Sequence, residues 1–240
     1  GYVGKLVDPE TGRLRKAWVF VMVLAHSRLM YARVVFDQKV DTWLDLHGRA
    51  FEAFGGVPQV VVPDNLKAAV IRAAFNAEEM STLNRSYREL ARHYGFRIDP
   101  APAYQPEKKG KVEAGVKYVK NSFFKPRSEA LADIDEANLR LSRWVDEVAN
   151  QRVHGTTREV PAAAFQEREL AELLGLPDQP YVPIIWHRAK VQKDCHVGFE
   201  RRMYSVPWQC VGREAWLRVR GEAITIFVDV PGGGVDCSAL

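Results

Sequence analysis

Apolar positions along the chain alternate between a two-residue period and a 3.6-residue period, and the order of the two textures predicts the elements. YVGKLV (2–7), AWVFVMVLA (17–25) and MYARVVF (30–36) read as strands, the first two joined by DPETGR, where Pro9 and Gly12 mark a turn. A helix follows from about Asp41 to Phe54, with Trp43, Leu44, Leu46, Ala50, Phe51 and Phe54 on its apolar side and Gly55-Gly56 at its end. The consecutive valines of PQVVVPDN (58–65) suggest a strand buried on both faces that stops at Pro63-Asp64-Asn65, so Asp64 sits at its exit. A helical region over about 66–94 and a short strand in YGFRIDPA (94–101) come next. From Gly110 onward, Val112, Val116, Val119 and Phe123 are spaced as the buried stripe of another helix. The first 125 residues therefore read β-β-β-α-β-α-β-α.

Ile134 to Val148 continues as a helix rich in Leu and Ala and carrying Trp144, and a short helix is expected to begin near Pro161, a residue favoured at a first helical position. Pro177, Pro180 and Pro183 punctuate a linker. Beyond it RAKVQKDCHVGF, RMYSVPW, EAWLRVRG and EAITIFVDV suggest a small β-barrel. The expected organisation is a mixed α/β core over 1–127, a helical connector over 128–179 and an all-β barrel over 180–240.

Composition narrows the class. A hydrophobic content of 47% is enough for a sizeable core, and the longest apolar run, nine residues at 17–25, is too short to cross a bilayer. With no signal-peptide pattern at the start, a soluble cytoplasmic protein without membrane contact is expected. Glycine rather than methionine at position 1 is expected of an excised fragment. Cys195, Cys210 and Cys237 are odd in number and widely separated, which fits reduced thiols better than disulfides, and His187, Cys195, His196 and Cys210 match no closed zinc pattern.

The net charge of +4 is modest, so any nucleic-acid function rests on where the charges sit. AYQPEKKGKVEAGVKYVKNSFFK (103–125) holds six lysines against two glutamates. At about 100° per residue, Glu113, Lys117 and Lys120 share a helix face roughly a quarter turn from the apolar one. An i, i+4 pair of Glu113 with Lys117 is the plain explanation of that acid, worth about 0.2–0.5 kcal/mol. The candidate DNA contacts are Lys108, Lys109, Lys111, Lys117 and Lys120 here and Arg201, Arg202 and Arg218 in the barrel. Trp208 and Trp216 interleave with barrel cations, although core positions are expected for both tryptophans. Asp64 at a strand end and Glu113 on an adjoining helix can together hold two divalent cations about 4 Å apart for in-line phosphoryl displacement. Mg²⁺ or Mn²⁺ suits carboxylate donors of this kind.

These segments resemble the DDE transposases and integrases of the ribonuclease H-like fold, and most closely IstA-type insertion-sequence transposases with a Mu-transposase-like C-terminal barrel. VVPDNLKAAV resembles the segment carrying the second catalytic Asp, which maps to Asp64, and YQPEKKGKVE resembles the segment ending in the catalytic Glu, which maps to Glu113. QRVHGTTREVPAAAF, with Asn150, His154, Gly155, Thr156, Thr157 and Pro161, is similar to the family's post-catalytic stretch, and RRMYSVPW is similar to its barrel. The resemblance implies end cleavage and strand transfer on double-stranded transposon and target DNA, a homo-oligomer, an AAA+ ATPase helper and association with the bacterial nucleoid. It also implies a first catalytic Asp immediately before Gly1, which leaves this chain with two of three acids. Asp8, at the far end of the first strand, and Asp37, at the end of the third, are not expected to replace it. Forty-eight residues separate Asp64 from Glu113, which fits an extra helical element within the core. A DNA-binding or assembly module without catalytic activity is the alternative; a nuclease unrelated to transposition would need neither the barrel nor the HGTT segment.

Overall fold

The computed structural model describes residues 1–63, 77–99, 106–127, 131, 133–228 and 235–239; the side chains of 77–84, 106–112 and 235–239 lie outside that description, as does all of Asp64. By contacts the chain forms two compact units, Gly1–Asn65 with Tyr94–Gln179, and Leu66–His93 with Pro180–Leu240.

In the first unit β1 (Tyr2–Val7), β2 (Leu14–Val23) and β3 (Met30–Val35) form an antiparallel sheet in that order. β2 is central, and its continuous apolar run has a physical reason: both faces are covered. Ala17, Val19 and Val21 turn toward one core with Val119, Phe123, Leu141 and Trp144, while Phe20 and Met22 pack into another with Ala50, Phe54 and Phe165. Helix α1 (Val40–Phe54) supplies Ala50 and Phe54 and ends at Gly55, whose φ of 74° is the left-handed C-terminal conformation that glycine adopts without strain. β4 (Val60–Val61) pairs in parallel with β5 (Arg97–Ile98).

Helix α2 (Ala77–Tyr94) precedes β5, and α3 (Pro106–Val119) follows it. α3 thus starts four residues before the Gly110 expected from the apolar spacing, because Pro106 is tolerated in a first turn, where its missing N–H costs nothing. It continues through a π turn at Lys120–Phe124, and the predicted stripe holds where side chains are described: Val119 and Phe123 are buried and Val116 packs beside them. Helix α4 (Ile134–Trp144) is capped by Asp133, which accepts the Glu136 N–H at 2.8 Å, and a π turn carries it to Ala149. Helix α5 (Pro161–Ala164) begins at the expected proline.

In the second unit β6 (Ile184–Lys190), β9 (Glu214–Arg220), β10 (Ala223–Val228) and β11 (Val235–Ala239) form a four-stranded antiparallel sheet. β7 (His196–Phe199) and β8 (Arg202–Ser205) make a separate hairpin. Val197 from the hairpin shares one core with Ala215, Leu217, Ile226 and Val228 from the sheet, which is the packing of a small barrel. The hairpin turns on Glu200 and Arg201, with φ of 46° and 66°. Two positive φ values are what a two-residue turn matching the strand twist requires, and no Asn-Gly signal announces it in the sequence. From α2, Arg85 stacks over Trp216 at 4.2 Å and Trp186 at 5.1 Å, and the Trp186 backbone N–H donates to Ser86 Oγ at 3.3 Å.

Candidate active site

Glu113 is placed by the seat of α3 on the sheet. At Gly115 a side chain would meet Val23 Cγ2 at 3.1 Å and Val21 Cγ1 and Met30 Cε at 3.5 Å, so glycine lets the helix approach the strands closely. Glu113, two residues earlier, is exposed, and so are Lys117 and Lys120. The start of β1 adjoins this face. The Gly1 amino group donates to the Val19 carbonyl at 2.7 Å, and the Val19 N–H returns to the Gly1 carbonyl at 2.8 Å. A Cβ on Gly1 would lie 2.8 Å from Val116 Cγ1 and 3.7 Å from Lys120 Cδ, about one to two turns along α3 from Glu113. Of the two candidate carboxylates only Glu113 is thus placed, since Asp64 lies outside the described residues. Among the described residues no three His, Cys, Asp or Glu side chains gather as a metal site.

The remaining predicted contacts are distributed. Lys108, Lys109 and Lys111 are on α3, with side chains outside the description. Arg201 and Arg202 are exposed at the β7–β8 turn, and Arg218 is half-buried on β9. Trp208 is 73% exposed, against the core position expected of it, because it falls on a short 3-10 turn after Pro207 rather than on a strand. Trp216 is half-buried under Arg85.

The two acids considered as substitutes have other partners. Asp8 accepts from Arg15 at 2.7 Å and from the Glu10 N–H at 3.1 Å within the β1–β2 turn; the Arg15 hydrogen bond, chiefly, holds its carboxyl below the usual range. Asp37 accepts from Thr42 Oγ1 at 2.6 Å and the Lys39 N–H at 3.1 Å; burial pushes its pKa up, but these bonds together with the charges of Lys39 and Arg15 bring it below the usual range. Ser205, His196 and Asp194 line up on the exposed hairpin, with Ser205 3.1 Å from His196 Nε2. His196 Nδ1, however, is bonded to the Asp194 backbone carbonyl at 2.7 Å and stands 3.7 Å from its carboxylate, so the orienting acid of a nucleophilic triad is lacking.

The HGTT stretch is built into the first unit. Asn150 is buried and bonds β3 with both ends of its amide, accepting from Met30 N–H at 2.9 Å and donating to Met30 C=O at 3.0 Å. His154 Nδ1 accepts from the backbone N–H groups of Thr156 and Thr157 at 3.3 and 3.4 Å. Burial first, then the charges of Arg152 and Arg28, push the His154 pKa down. This pair of arginines was not visible in the sequence, because Arg28 comes from the β2–β3 turn and Arg152 from beyond α4. Arg152 also lies 3.7 Å over the Tyr118 ring of α3.

Residues 5–106 match the integrase core domain and residues 176–231 match the Mu transposase C-terminal domain. Asp64 falls within the first match and Glu113 just beyond it. The chain carries these two domains, and its homologues are insertion-sequence transposases of the IS21/IstA type. A putative transposase of Mycobacterium tuberculosis is 36% identical over 95% of this chain and 54% of its own length. A putative transposase of Sinorhizobium fredii is 33% identical over 93% and 43%. An IS21-like element transposase of Bacteroides fragilis is 31% identical over 85% and 38%. The chain spans about half the length of the relatives it matches. Among solved structures, a chain of a simian T-cell lymphotropic virus intasome in complex with PP2A regulatory subunit B56 gamma aligns with 99% of this chain and 74% of its own at a TM-score of 0.49 and 14% identity.

Proposed function

We propose that this chain is the catalytic core of a DDE-type DNA transposase, cleaving and joining DNA ends by phosphoryl transfer with Asp64 and Glu113 as metal-holding carboxylates. The observation that carries the reading is Glu113 standing exposed on α3, on a lysine-bearing face that meets the start of β1. A carboxylate on an exposed helix face suits Mg²⁺ or Mn²⁺, which prefer oxygen donors and keep several waters. Held by Glu113 and Asp64, such ions would activate the attacking oxygen and stabilise the leaving one. Lys117 and Lys120 hold the DNA backbone beside Glu113, and Arg201, Arg202 and Arg218 serve the same end in the barrel.

The third acid belongs just ahead of Gly1. That position is what the family resemblance implies. Asp8 has the opposite end of β1 and an arginine partner, and takes no part. By the same resemblance the active form is a homo-oligomer on paired DNA ends, assisted by an AAA+ ATPase; gel filtration of the chain with end duplexes tests the first part, where a one-to-one complex would refute it.

The deciding experiment uses a chain extended upstream by its native residues and compares it with Glu113→Gln in the extended chain, measuring end cleavage and joining with Mn²⁺. Loss of joining with unchanged circular dichroism and unchanged end binding is expected. Undiminished joining by Glu113→Gln would refute the catalytic assignment, and inactivity of the extended wild type would favour a DNA-binding assembly module.

A further inference from the structure

Helix α2 stands in the sequence between Asp64 and Glu113, yet by contacts its residues through His93 belong to the barrel unit. Two seats fix its rotation there. Ser86 is fully buried and its Oγ accepts the Trp186 backbone N–H at 3.3 Å, and the His93 ring lies 5.2 Å from that of Tyr181, just ahead of β6. Ser86, Tyr87, Leu90 and Ala91 make the buried side of the helix. At about 100° per residue the opposite side carries Arg85, Arg88 and Arg92, spaced i, i+3 and i+7, and all three are exposed.

A solvated helix face ordinarily sets its arginines against carboxylates three or four residues away. Between Arg85 and His93 there is one acid, Glu89, and it stands 3.5 Å from Arg92. Among the described residues Arg85 and Arg88 form no ion pair. Arg85 is also held in place, with its guanidinium 4.2 Å from the Trp216 ring and 5.1 Å from that of Trp186, which Phe227 backs at 5.4 Å. Stacking uses the flat face of the guanidinium and leaves the N–H donors at its rim for the oxygens of a phosphate. The sheet extends the positive surface. Residues directly opposite in an antiparallel pair share a face, so Arg218, opposite Trp186, and Arg220, two residues further along β9, lie on the tryptophan side. Arg188, opposite Trp216, is taken by Glu214 at 3.2 Å, whereas among the described residues Arg218 and Arg220 have no acid partner.

We propose that the arginine ridge of α2 is a DNA-binding surface, in which Arg85, held on the barrel tryptophans, and Arg88 each meet a backbone phosphate. Cations repeated along a helix match a polyanion whose charges repeat along its length, where a small anion would engage only one of them. The proposal rests on the transposase reading above and gives the residues inserted between Asp64 and Glu113 a part in holding DNA.

The test measures binding of the chain to a fluorescent DNA duplex across a salt series for wild type, Arg88→Ala, Arg85→Ala, Arg85→Lys and the double alanine variant, with the melting temperature of each without DNA. Each lost contact should flatten the log–log salt dependence by about 0.9, and the double variant by about 1.8. Acting over the decade below 1 M salt, that slope makes each contact worth about eightfold in affinity at 0.1 M. Arg85→Lys should keep the slope and lose affinity, because the charge remains while the stacked fork does not; full affinity would overturn the part given to the tryptophans. Among the described residues Arg88 stacks on no ring, so Arg88→Ala should melt with wild type, and it decides the matter should Arg85→Ala fold poorly. Wild-type affinity and slope in Arg88→Ala and in the double variant would overturn the ridge and leave the transposase reading standing. Weaker binding at an unchanged slope in those two would overturn it as well, since no phosphate contact would have been lost. If wild type itself binds no duplex, the ridge fails together with the DNA reading, and an acidic protein surface becomes its partner.

Discussion

Asn150 satisfies both backbone polar groups of Met30 with a single amide, and Asn138 does the same for Val34, accepting at 2.7 Å and donating at 3.1 Å. β3 is an edge strand of its sheet, so these side chains occupy positions that a neighbouring strand would otherwise fill. Asn150 belongs to the stretch that resembles the family's post-catalytic segment, yet its visible work is to hold the turn carrying Arg28. Replacing Asn150 with Ala strands an N–H and a C=O at a site where the asparagine is only 6% exposed. The expected loss is about 1–3 kcal/mol, read as a lower urea midpoint with an unchanged slope. A midpoint equal to wild type would mean that water replaces the amide without cost.

At the scale of elements, the loop after Asn150 couples fold stability to pH. His154 has a folded pKa below its ordinary 6.5, by burial first and then by Arg152 and Arg28. Its unfolded form therefore binds a proton before the folded form does, and stability falls as pH drops from about 6.5 toward the lower folded value. His154→Gln should remove that part of the acid sensitivity, leaving a shallower loss of stability over the same range in chemical denaturation. His187, also lowered by burial, contributes with the same sign in the second unit, so an unaltered slope in the variant would assign the whole effect elsewhere. The element order is the part that the pattern of apolar residues predicts best. Strand β2, helix α1, the stripe of α3 and the proline start of α5 fall close to expectation, because each depends on local periodicity and local turn chemistry. The β7–β8 turn and the exposed Trp208 do not, since positive φ at Glu200 and Arg201 and a 3-10 turn after Pro207 carry no strong local signature.

For the whole molecule, net charge says little and charge placement says much. Lys117 and Lys120 are exposed on the face shared with Glu113. Removing both by alanine substitution should flatten the salt dependence of DNA binding by up to about 1.8, since each phosphate contact accounts for about 0.9. An unchanged slope would mean that these lysines only solvate α3. What the sequence determined unaided was the succession of elements, the placement of Glu113 on a solvent-facing lysine-rich side and the likeness to integrase-core transposases, because all three depend on residue type and short spacing. Only the tertiary structure decided that Asp8 belongs to Arg15 and its turn, that Gly1 lies against Val116, that α2 lays Arg85 over two barrel tryptophans, and that the Asn150 amide bonds Met30 across more than a hundred residues. Those contacts arise from which faces must be buried against each other, and no local pattern encodes the partner that a distant segment will bring.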